Sequence, residues 1–556
     1  MAETDDNRGD NRGDNKGDNK GDNKGDNKGE KIELRKRTTA SVELLEELAA
    51  DLTKLADLDE DLRIRLSTAA GQLSRPERYV RKQLGKVLTR QRFHAKRDAD
   101  RALLDQSGIR QLRKETVFRT PLPKPEWTAL DAPLRDDEGE DAWAAAEARR
   151  DDDSEPVATH QRVETARMCY VCKRDFHELH HFYDQMCPEC AALNWQKREQ
   201  TADLRGRVVL VTGARVKIGY QAAIMLLRTG ADVIVATRFP RDASRRFGRE
   251  VDASEWTHRL HIYGIDLRHT PSVELFARHL LTTQSRLDGI INNACQTVRR
   301  PSGWYDHVVT GEDAPPENAF ERAVLGRNRE LRGDSGLARA RLGQGGGGEA
   351  IQATGLWKSA VLSQVPLLAE DLERGEHLYP EGRLDQDLQQ VDLRDTNTWR
   401  MTLAEVPTAE LLEVHLVNAV APFVLNARLR PLLAAVPTRD AHVVNVSAME
   451  GQFYRRWKTD KHPHTNMAKA ALNMMTRTSA TDYVRDGIHM NSVDTGWVTD
   501  EDPQHHAERK QKIHGFHPPL DIVDGAARIV DPLFDGVNTG KHLWGLFLKD
   551  YKPAPW

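Results

Sequence analysis

The stretch that decides the fold is VVLVTGARVKIGYQAAIMLL, residues 208–227. It opens with an apolar run that is typical of a strand buried on both faces. A turn that contains Gly213 and Gly219 follows, and the apolar residues after it predict a buried helix. Such a turn directs backbone N–H groups and the positive end of a helix at a pyrophosphate. The segment therefore predicts a strand, a turn and a helix that bind the phosphates of a dinucleotide.

Similar short β-branched runs alternate with amphipathic stretches along the rest of the chain. They are ADVIVAT (231–237), LHIYGID (260–266), LDGIINNA (287–294), AHVVNVSA (441–448) and IHMNSVDTG (488–496). This alternation predicts an α/β fold, a Rossmann-like doubly wound parallel sheet with helices on both faces. An insertion at about 299–407 interrupts the pattern after the fourth strand. The insertion begins at the carboxyl end of the fourth strand, where ligands bind in such sheets. It therefore either shapes the ligand cleft or is a peripheral segment used in oligomer contacts.

Length and composition divide the chain into five parts. With 556 residues it is long enough for roughly two to four folded units. A repeated Asp-Asn-Lys/Arg-Gly unit without apolar side chains begins at residue 6 and predicts a disordered tail. The predicted parts are the tail at 1–35, an α-helical region at 36–120, an acidic and proline-containing linker at 121–160, a cysteine-rich module at 161–200 and the α/β domain at 201–556.

Charge and hydropathy argue against two classes of partner. The formal net charge is only -4, which gives no global attraction to nucleic acid or to an acidic membrane. A basic run at 90–97 lies on a charged helix face of the kind that is usually solvated. There is no run of eighteen apolar residues and the N-terminus is hydrophilic, so we expect a cytoplasmic protein without a membrane contact.

The cysteines predict a metal site. Four of the five form two Cys-x-x-Cys pairs with 14 residues between them. This spacing is typical of a four-thiolate structural zinc site, here in a small zinc-ribbon-like module. A full thiolate shell leaves no position for substrate, so the expected role of the Zn²⁺ is folding. The predicted ligands are Cys169, Cys172, Cys187 and Cys190.

A His-Glu-x-x-His sequence lies inside the same module. On a helix, His177 and His181 would share a face and hold a catalytic zinc with Glu178 as the base of a protease. The segment is barely one or two turns long and a metal site holds both of its ends, which argues against a protease. The other interpretations are surface or supporting groups, or a ligand in place of one thiolate. The module either docks on the α/β domain or binds a partner protein.

Ordered motifs from about residue 205 to 550 resemble the short-chain dehydrogenase/reductase family. They are TGARVKIG (212–219), DL (266–267), NNA (292–294), VNAVAPF (417–423), VVNVSAMEG (443–451), MAKAALNMM (467–475) and GIHMNSVDTGWV (487–498). The resemblance implies an oxidoreductase with a nicotinamide cofactor, and dimers or tetramers formed through the helices after Leu411 and Thr465. It implies cofactor contacts from Thr212, Gly213, Arg215, Lys217, Ile218, Gly219, Asp266, Leu267, Asn293 and Ala294, with Lys217 in place of a glycine.

Three cations favour NADP(H) over NAD(H). At the end of the second strand, where an acidic residue would bind a ribose 2′-hydroxyl, the chain has Arg238. Together with Arg215 and Lys217, it would surround a 2′-phosphate with positive charge. The alternative is that these side chains face solvent or pair with Asp242 and other acidic groups.

Only some of the catalytic residues that the resemblance implies are present in this sequence. Lys469 corresponds to the family lysine, which grips the nicotinamide ribose and lowers the pKa of a tyrosine, and Asn418 corresponds to the family asparagine. Thr465 stands where the family has its tyrosine. Ala448 stands at the serine position, and Ser447 precedes it.

A threonine hydroxyl is far less acidic than a phenol, whose pKa is about 10. His464 and Tyr454 are therefore candidate proton donors, and His462 lies beside the same position. The sequence predicts an NADP(H)-dependent oxidoreductase for an unknown carbonyl or alcohol substrate. The alternative is a non-catalytic NADP(H) sensor or scaffold that binds a protein partner through its zinc module or N-terminal helices.

Overall fold

The computed structural model describes residues 26–123, 161–334, 354–373, 375–454, 458–499, 501–514 and 517–556. The chain divides into two compact units, Met1–Ala95 and Lys96–Trp556. The first unit is helical where it is described, with α1 (Asp26–Ala50), α2 (Glu60–Ser74) and the beginning of α3 (Arg78–Leu104). A 3₁₀ helix, Leu52–Asp57, joins α1 to α2.

The prediction of a disordered tail to residue 35 is wrong for its last ten residues, because α1 begins at Asp26. The glycine of the repeat recurs for the last time at Gly29, and the residues after it, EKIELRKR, are mostly good helix formers. Residues 1–25 of the predicted tail lie outside the described residues, and so does the predicted linker from residue 124 to 160.

The second unit contains a two-stranded sheet and an eight-stranded sheet. Antiparallel β1 (Arg162–Met168) and β2 (Asp175–Glu178) form the small sheet. The large sheet has the order β10-β9-β8-β7-β6-β3-β4-β5. Its strands are β3 (Val208–Thr212), β4 (Asp232–Thr237), β5 (Leu260–Gly264), β6 (Gly289–Asn292), β7 (Ala441–Ser447), β8 (Ile488–Asp494), β9 (Phe547–Lys549) and β10 (Lys552–Ala554).

The predicted doubly wound parallel sheet is confirmed, since β3 to β9 pair in parallel and only β10 pairs antiparallel. The strand order reverses between β3 and β6, and in open α/β sheets ligands bind at the carboxyl ends beside such a reversal. Side chains of β3 alternate between two hydrophobic cores, because Val209 and Val211 face one layer of helices and Leu210 faces the other.

Helices cover both faces of the sheet. The helices of the second unit are α4 (Gly108–Leu112), α5 (Pro188–Arg198), α6 (Lys217–Arg228), α7 (Pro240–Phe247), α8 (Ala253–Trp256), α9 (Thr270–Thr283), α10 (Asp306–Val309), α11 (Ala319–Val324), α12 (Gly326–Asp334), α13 (Thr354–Trp357), α14 (Thr408–His415), α15 (Ala421–Ala434), α16 (Pro463–Tyr483), α17 (Gln504–His514) and α18 (Ile522–Thr539). On one face α6 packs against α18, and on the other α9 packs against α15, beside α16.

A membrane-length apolar helix runs from Thr408 to Ala434 within the described part of the chain. Its length and composition alone would allow it to cross a bilayer. Leu425 and Leu429 of this segment lie in the core beside the sheet, which is how a core helix of an α/β domain packs. The segment is continuous because a π-helical turn, Leu416–Val420, joins α14 to α15.

The cysteine-rich module packs on the α/β domain through buried charges. Arg198, at the end of α5, lies 2.6 Å from Asp521 and 2.9 Å from Asp524, at the beginning of α18. The hydroxyl of Tyr183 also donates to Asp524. All four side chains are buried. Of the two roles open from the sequence, docking on the neighbouring domain is the one that the structure shows.

Candidate active site

The phosphate turn between β3 and α6 is held by close backbone approaches. Gly213 has a φ of 70°, and a β-carbon there would lie 2.7 Å from the Cα of Ala294. A β-carbon on Gly219 would collide with the side-chain amide of Asn293. That amide donates to the carbonyl oxygens of Thr212 at 3.1 Å and Gly213 at 3.2 Å. The two glycines are therefore required by space, and five predicted cofactor residues meet in one turn.

Lys217 takes the backbone conformation of the glycine that it replaces. Its φ is 57°, in the left-handed region that side chains rarely adopt. The turn thus keeps its shape while it gains an ammonium group. Burial alone would lower the pKa of Lys217, but the nearby carboxylates of Glu501 and Asp387 outweigh burial and raise it. Lys217 is therefore a cation in the wall of the cleft.

The other two predicted cations have different surroundings. Arg215 is buried and forms an ion pair with Asp242 at 2.6 Å, which is the alternative that the sequence left open. Arg238 lines the cleft, donates to the hydroxyl of Tyr305 at 2.9 Å and lies over the Tyr305 ring at 4.9 Å. Arg238 and Lys217 are therefore the better placed of the three for a 2′-phosphate.

Asp266 and Leu267 line the same part of the cleft. The Asp266 carboxylate is buried and lies 2.7 Å from the guanidinium of Arg268. Burial acts to raise the pKa of Asp266, but the adjacent Arg268 outweighs it and lowers the pKa. Arg268 also bonds Glu413 at 2.7 Å, so an ion-pair chain fixes this wall. Tyr305 and Gln389 of the insertion line the cleft as well, so its described part does help to shape the site.

Asn418 lies in the π-helical turn, a feature that is frequent at functional sites. Its Oδ1 accepts from the backbone N–H of Gln296 at 2.8 Å and its Nδ2 donates to the carbonyl of Gln296 at 3.0 Å. The amide thus positions a segment of the cleft wall that follows β6.

Lys469 and Ser447 reach the carboxyl end of β7. The Lys469 ammonium donates to the carbonyl oxygen of Val446 at 2.7 Å, and the Ser447 hydroxyl donates to Asn473 Oδ1 at 2.6 Å. Both residues line the cleft, as does Ala448. The predicted lysine is therefore in the same cleft as the phosphate turn.

The structure places Thr465 and the two candidate proton donors, His464 and Tyr454, outside the cleft. Thr465 and His464 are buried in the interior, where His464 Nε2 lies 3.6 Å from Glu410. Tyr454 is 48% exposed. None of the three is among the described residues that line the cleft. The physical reason is the orientation of α16, whose cleft-facing positions are 466 and 469, about one helical turn apart, while His462 faces the cleft from the residue before the helix.

Sequence reasoning missed that His462 and Asn466 are the polar residues that face the cleft there. The His462 ring stacks on Trp399 with centroids 3.9 Å apart. Its buried Nδ1 has no hydrogen-bond partner among the described residues. Burial lowers the pKa of His462 below its ordinary value, so the ring is neutral at pH 7. The helical spacing of 466 and 469 was the available signal for Asn466, whereas His462 precedes the helix and had none.

Two more groups enter the cleft from distant segments. Tyr170 of the cysteine-rich module lines it, and its hydroxyl accepts from the N–H of Trp497 at 2.9 Å. Burial and the carboxylate of Asp494 raise the pKa of Tyr170 to about 12. Burial also raises the pKa of Asp494, at the end of β8, to about 6. No local pattern in the sequence joins these residues.

The four predicted metal ligands converge. Their sulfur atoms all lie within 4.8 Å of one another, and the Cys172 and Cys187 sulfurs are 3.7 Å apart. A tetrahedral zinc with bonds of about 2.3 Å separates its sulfurs by about 3.8 Å, so the residues fit the metal. A hydrogen bond from Arg174 lowers the pKa of Cys172 to about 6, whereas burial raises the pKa of Cys187 and that of Cys190.

The protease interpretation does not fit the structure. His177 lies on strand β2, not on a helix, and its Nδ1 is 3.0 Å from the carbonyl oxygen of Val163. The segment after β2 turns without forming a helix before α5. His177 and His181 therefore do not share the helix face that a catalytic zinc would require.

The fold and the cleft are those of a doubly wound α/β protein with a glycine turn suited to a dinucleotide, and comparisons with known proteins show which family its segments resemble. Residues 207–308 match a model described as short chain dehydrogenase, and residues 394–518 match one described as enoyl-(acyl carrier protein) reductase. An uncharacterised protein of Acanthamoeba polyphaga mimivirus is 30% identical over 379 residues, 66% of this chain and 71% of the viral protein. These matches support a resemblance to the short-chain dehydrogenase/reductase family over residues 207–308 and 394–518.

Named relatives match shorter stretches. Dehydrogenase/reductase SDR family member 13 of Bos taurus is 35% identical over 18% of this chain, and human retinol dehydrogenase 13 is 31% identical over 17%. The chain covers only 27% and 28% of those two proteins. The crystal structure of NADPH-bound carbonyl reductase from chicken fatty liver aligns with 64% of this chain and 100% of its own, at 17% identity and a TM-score of 0.37.

Proposed function

We propose that this protein is an NADP(H)-dependent oxidoreductase that interconverts an alcohol and a carbonyl compound. One observation carries the proposal: the sterically fixed turn at Gly213 and Gly219 opens into the same cleft as Lys469. A dinucleotide with its phosphates at the turn would extend along the strand ends toward that ammonium. A bound nicotinamide would supply hydride exchange with the substrate carbon.

NADP(H) is proposed over NAD(H) because of two cleft-lining cations. Arg238, held by Tyr305, stands at the end of β4, and Lys217 stands at the beginning of α6. A 2′-phosphate there could accept hydrogen bonds from the guanidinium of Arg238 and the ammonium of Lys217. Arg215, in contrast, is already paired with Asp242. We propose a structural zinc on the four cysteines, because a full thiolate shell leaves no position for substrate.

We propose His462 as the group that moves the proton. In alcohol oxidation the neutral imidazole takes the hydroxyl proton as the substrate carbon gives up its hydride. In carbonyl reduction the protonated ring returns that proton to the substrate oxygen. Burial keeps the ring neutral at pH 7, so it is ready to act as a base in the oxidative direction. Lys469 lines the same cleft and holds the strand end through Val446.

The function is tested by titrating the protein with NADPH and NADH and following cofactor fluorescence. We expect NADPH to bind more tightly, and at least one member of a panel of aldehydes and ketones to oxidise the bound cofactor. Equal affinity for the two cofactors would overturn the choice of NADP(H). Tight NADPH binding without oxidation by any carbonyl would favour the sensor or scaffold, the alternative function.

We also propose that the protein is a homo-oligomer. Large apolar side chains of α14, α15 and α16 stay exposed, among them Leu412, Phe423 and Met474, each more than half exposed. Apolar residues on neighbouring helices form the kind of surface that oligomers bury. Light scattering after size exclusion should give at least a dimer, and Phe423→Glu should shift it to the monomer. A monomeric wild type would contradict the proposal.

A further inference from the structure

A cluster of three histidines lies at the edge of the large sheet opposite the cleft. His442 and His489 are paired neighbours at the beginnings of β7 and β8, and His542 follows α18. The other ends of the same strands, at Ser447 and Asp494, line the cleft. Five residues of extended strand separate the two edges by about 17 Å. The cluster is therefore outside the active site.

The three rings converge on a small volume. One ring nitrogen from each lies within 4.8 Å of the other two, and the ring centroids are 4.9 to 5.3 Å apart. His442 Nε2 and His542 Nδ1 are 2.9 Å apart. His489 Nδ1 lies 3.3 Å from the carbonyl oxygen of Ala441, which makes it the protonated nitrogen. That contact leaves the lone pair of His489 on Nε2, as in metal-binding histidines.

Two further features point to a ligand and not to packing alone. His442 is buried, so its Nε2 faces the His542 ring and not solvent. A β-carbon at Gly536 of α18 would lie 2.5 Å from His542 Nδ1 and 3.0 Å from His442 Nε2. The glycine thus leaves the space in which the rings meet. The positive charge of Arg207 acts on the cluster, but Arg207 is paired with Asp440 at 2.8 Å, and the Asp440 carboxylate acts on the cluster with the opposite sign.

We propose that His442, His489 and His542 bind a divalent transition-metal cation, with zinc as the probe. Neutral imidazole is a preferred ligand of zinc, and a three-histidine set leaves a fourth position for solvent. A tetrahedral ion would separate the nitrogens by about 3.4 Å, so only small movements of the two half-buried rings are needed. The metal would tie the segment after α18 to the strands. The proposal does not depend on the cofactor or on the four-cysteine site.

The test measures metal in the full-length protein. Wild type, His542→Ala, His489→Gln and His377→Ala are equilibrated with zinc, desalted and analysed by mass spectrometry for bound metal. His542 and His489 are half-buried, and the control His377 is exposed and outside the cluster. We expect each cluster variant to lose about one zinc per chain relative to wild type, and His377→Ala to lose none.

Cobalt distinguishes the two candidate sites. Cobalt bound to thiolates gives an intense charge-transfer absorption, which imidazole ligands do not give. In His542→Ala we expect that absorption to equal the wild-type value while total cobalt falls. Equal metal content in wild type and both cluster variants overturns the proposal, whatever the cysteines hold. Loss of the thiolate absorption in His542→Ala also overturns it, because the missing metal then came from the cysteines.

Discussion

The two ends of the cleft differ in how closely they match the residues expected of a short-chain dehydrogenase/reductase. At the phosphate end, the glycines and the asparagine amide retain the backbone geometry that a dinucleotide requires, even where Lys217 replaces a glycine. At the reaction end, Thr465 stands where a tyrosine is expected, and a histidine faces the cleft instead. A residue whose backbone touches another backbone segment cannot be substituted without a loss of stability. A side chain that only has to point into a cavity can be replaced by one from a neighbouring position, here the residue before the helix.

The largest effect is expected at the reaction end. His462→Asn should lower the turnover number by about 10²- to 10⁴-fold, because general acid–base groups contribute that much. NADPH affinity should change little, since the phosphate end is intact. His464→Asn, two residues away and outside the cleft, is the matched control and should keep its activity as long as its melting temperature is unchanged. Full activity of His462→Asn would remove the proton-transfer role.

The phosphate end should be most sensitive at Gly213. An alanine there combines a positive φ with a β-carbon against the Ala294 backbone, so we expect a loss of about 2 to 4 kcal/mol in the free energy of unfolding. Gly206 has a φ of 71° and nothing within 4 Å of its β-carbon position. Gly206→Ala therefore isolates the backbone cost, about 1 to 2 kcal/mol. Denaturant titrations measure both losses. If Gly213→Ala and Gly206→Ala lost the same free energy of unfolding, the close approach of Gly213 to Ala294 would be contradicted.

Arg238→Leu should separate the two cofactors. A hydrogen bond to a charged group is worth about 1.5 to 3 kcal/mol, so the Kd for NADPH should rise about 10- to 100-fold. The Kd for NADH should stay within about twofold, since NADH has no 2′-phosphate. Arg205→Leu, a half-exposed arginine outside the cleft, is the control. Parallel weakening of both cofactors would show a structural role for Arg238.

Lys217→Gly should have two smaller effects of opposite sign, one on stability and one on NADPH affinity. The free energy of unfolding should rise by about 1 kcal/mol, because glycine adopts the left-handed conformation without strain. NADPH affinity should fall, because the ammonium is lost. A thermal melt and a cofactor titration on one preparation measure both. If stability and affinity fell together, the lysine side chain would be holding the turn itself.

The mildest effect concerns pH. The pKa of His462 is lowered by burial, so the neutral base is fully present above the ordinary histidine value and is lost as pH falls through the lowered one. Alcohol oxidation should therefore stay constant above about pH 6.5 and decline below it. Asp494, with a pKa of about 6, titrates in the same range. Asp494→Asn should keep the decline and His462→Asn should abolish it, and the reverse result would assign the decline to Asp494.

Local patterns predicted the fold and the phosphate turn well, since β3, the turn and α6 are contiguous in the chain. The convergence of the four cysteines followed from their spacing for the same reason. Which residues of α16 face the cleft did not follow, because the rotation of that helix is set by its packing on β7 and β8. Tyr170 and Trp399 enter the site from segments far away in sequence, and only the folded chain brings them there.

The buried pairing of Arg198 with Asp521 and Asp524 affects how the protein can be dissected. The substitution Arg198→Ala would leave both carboxylates buried without this counter-ion, and breaking such a pair costs about 3 to 5 kcal/mol. That is a large share of the stability of an ordinary domain, about 5 to 15 kcal/mol. The cysteine-rich module and the α/β domain thus depend on each other for stability. A gene fusion or a domain exchange would have to carry both together.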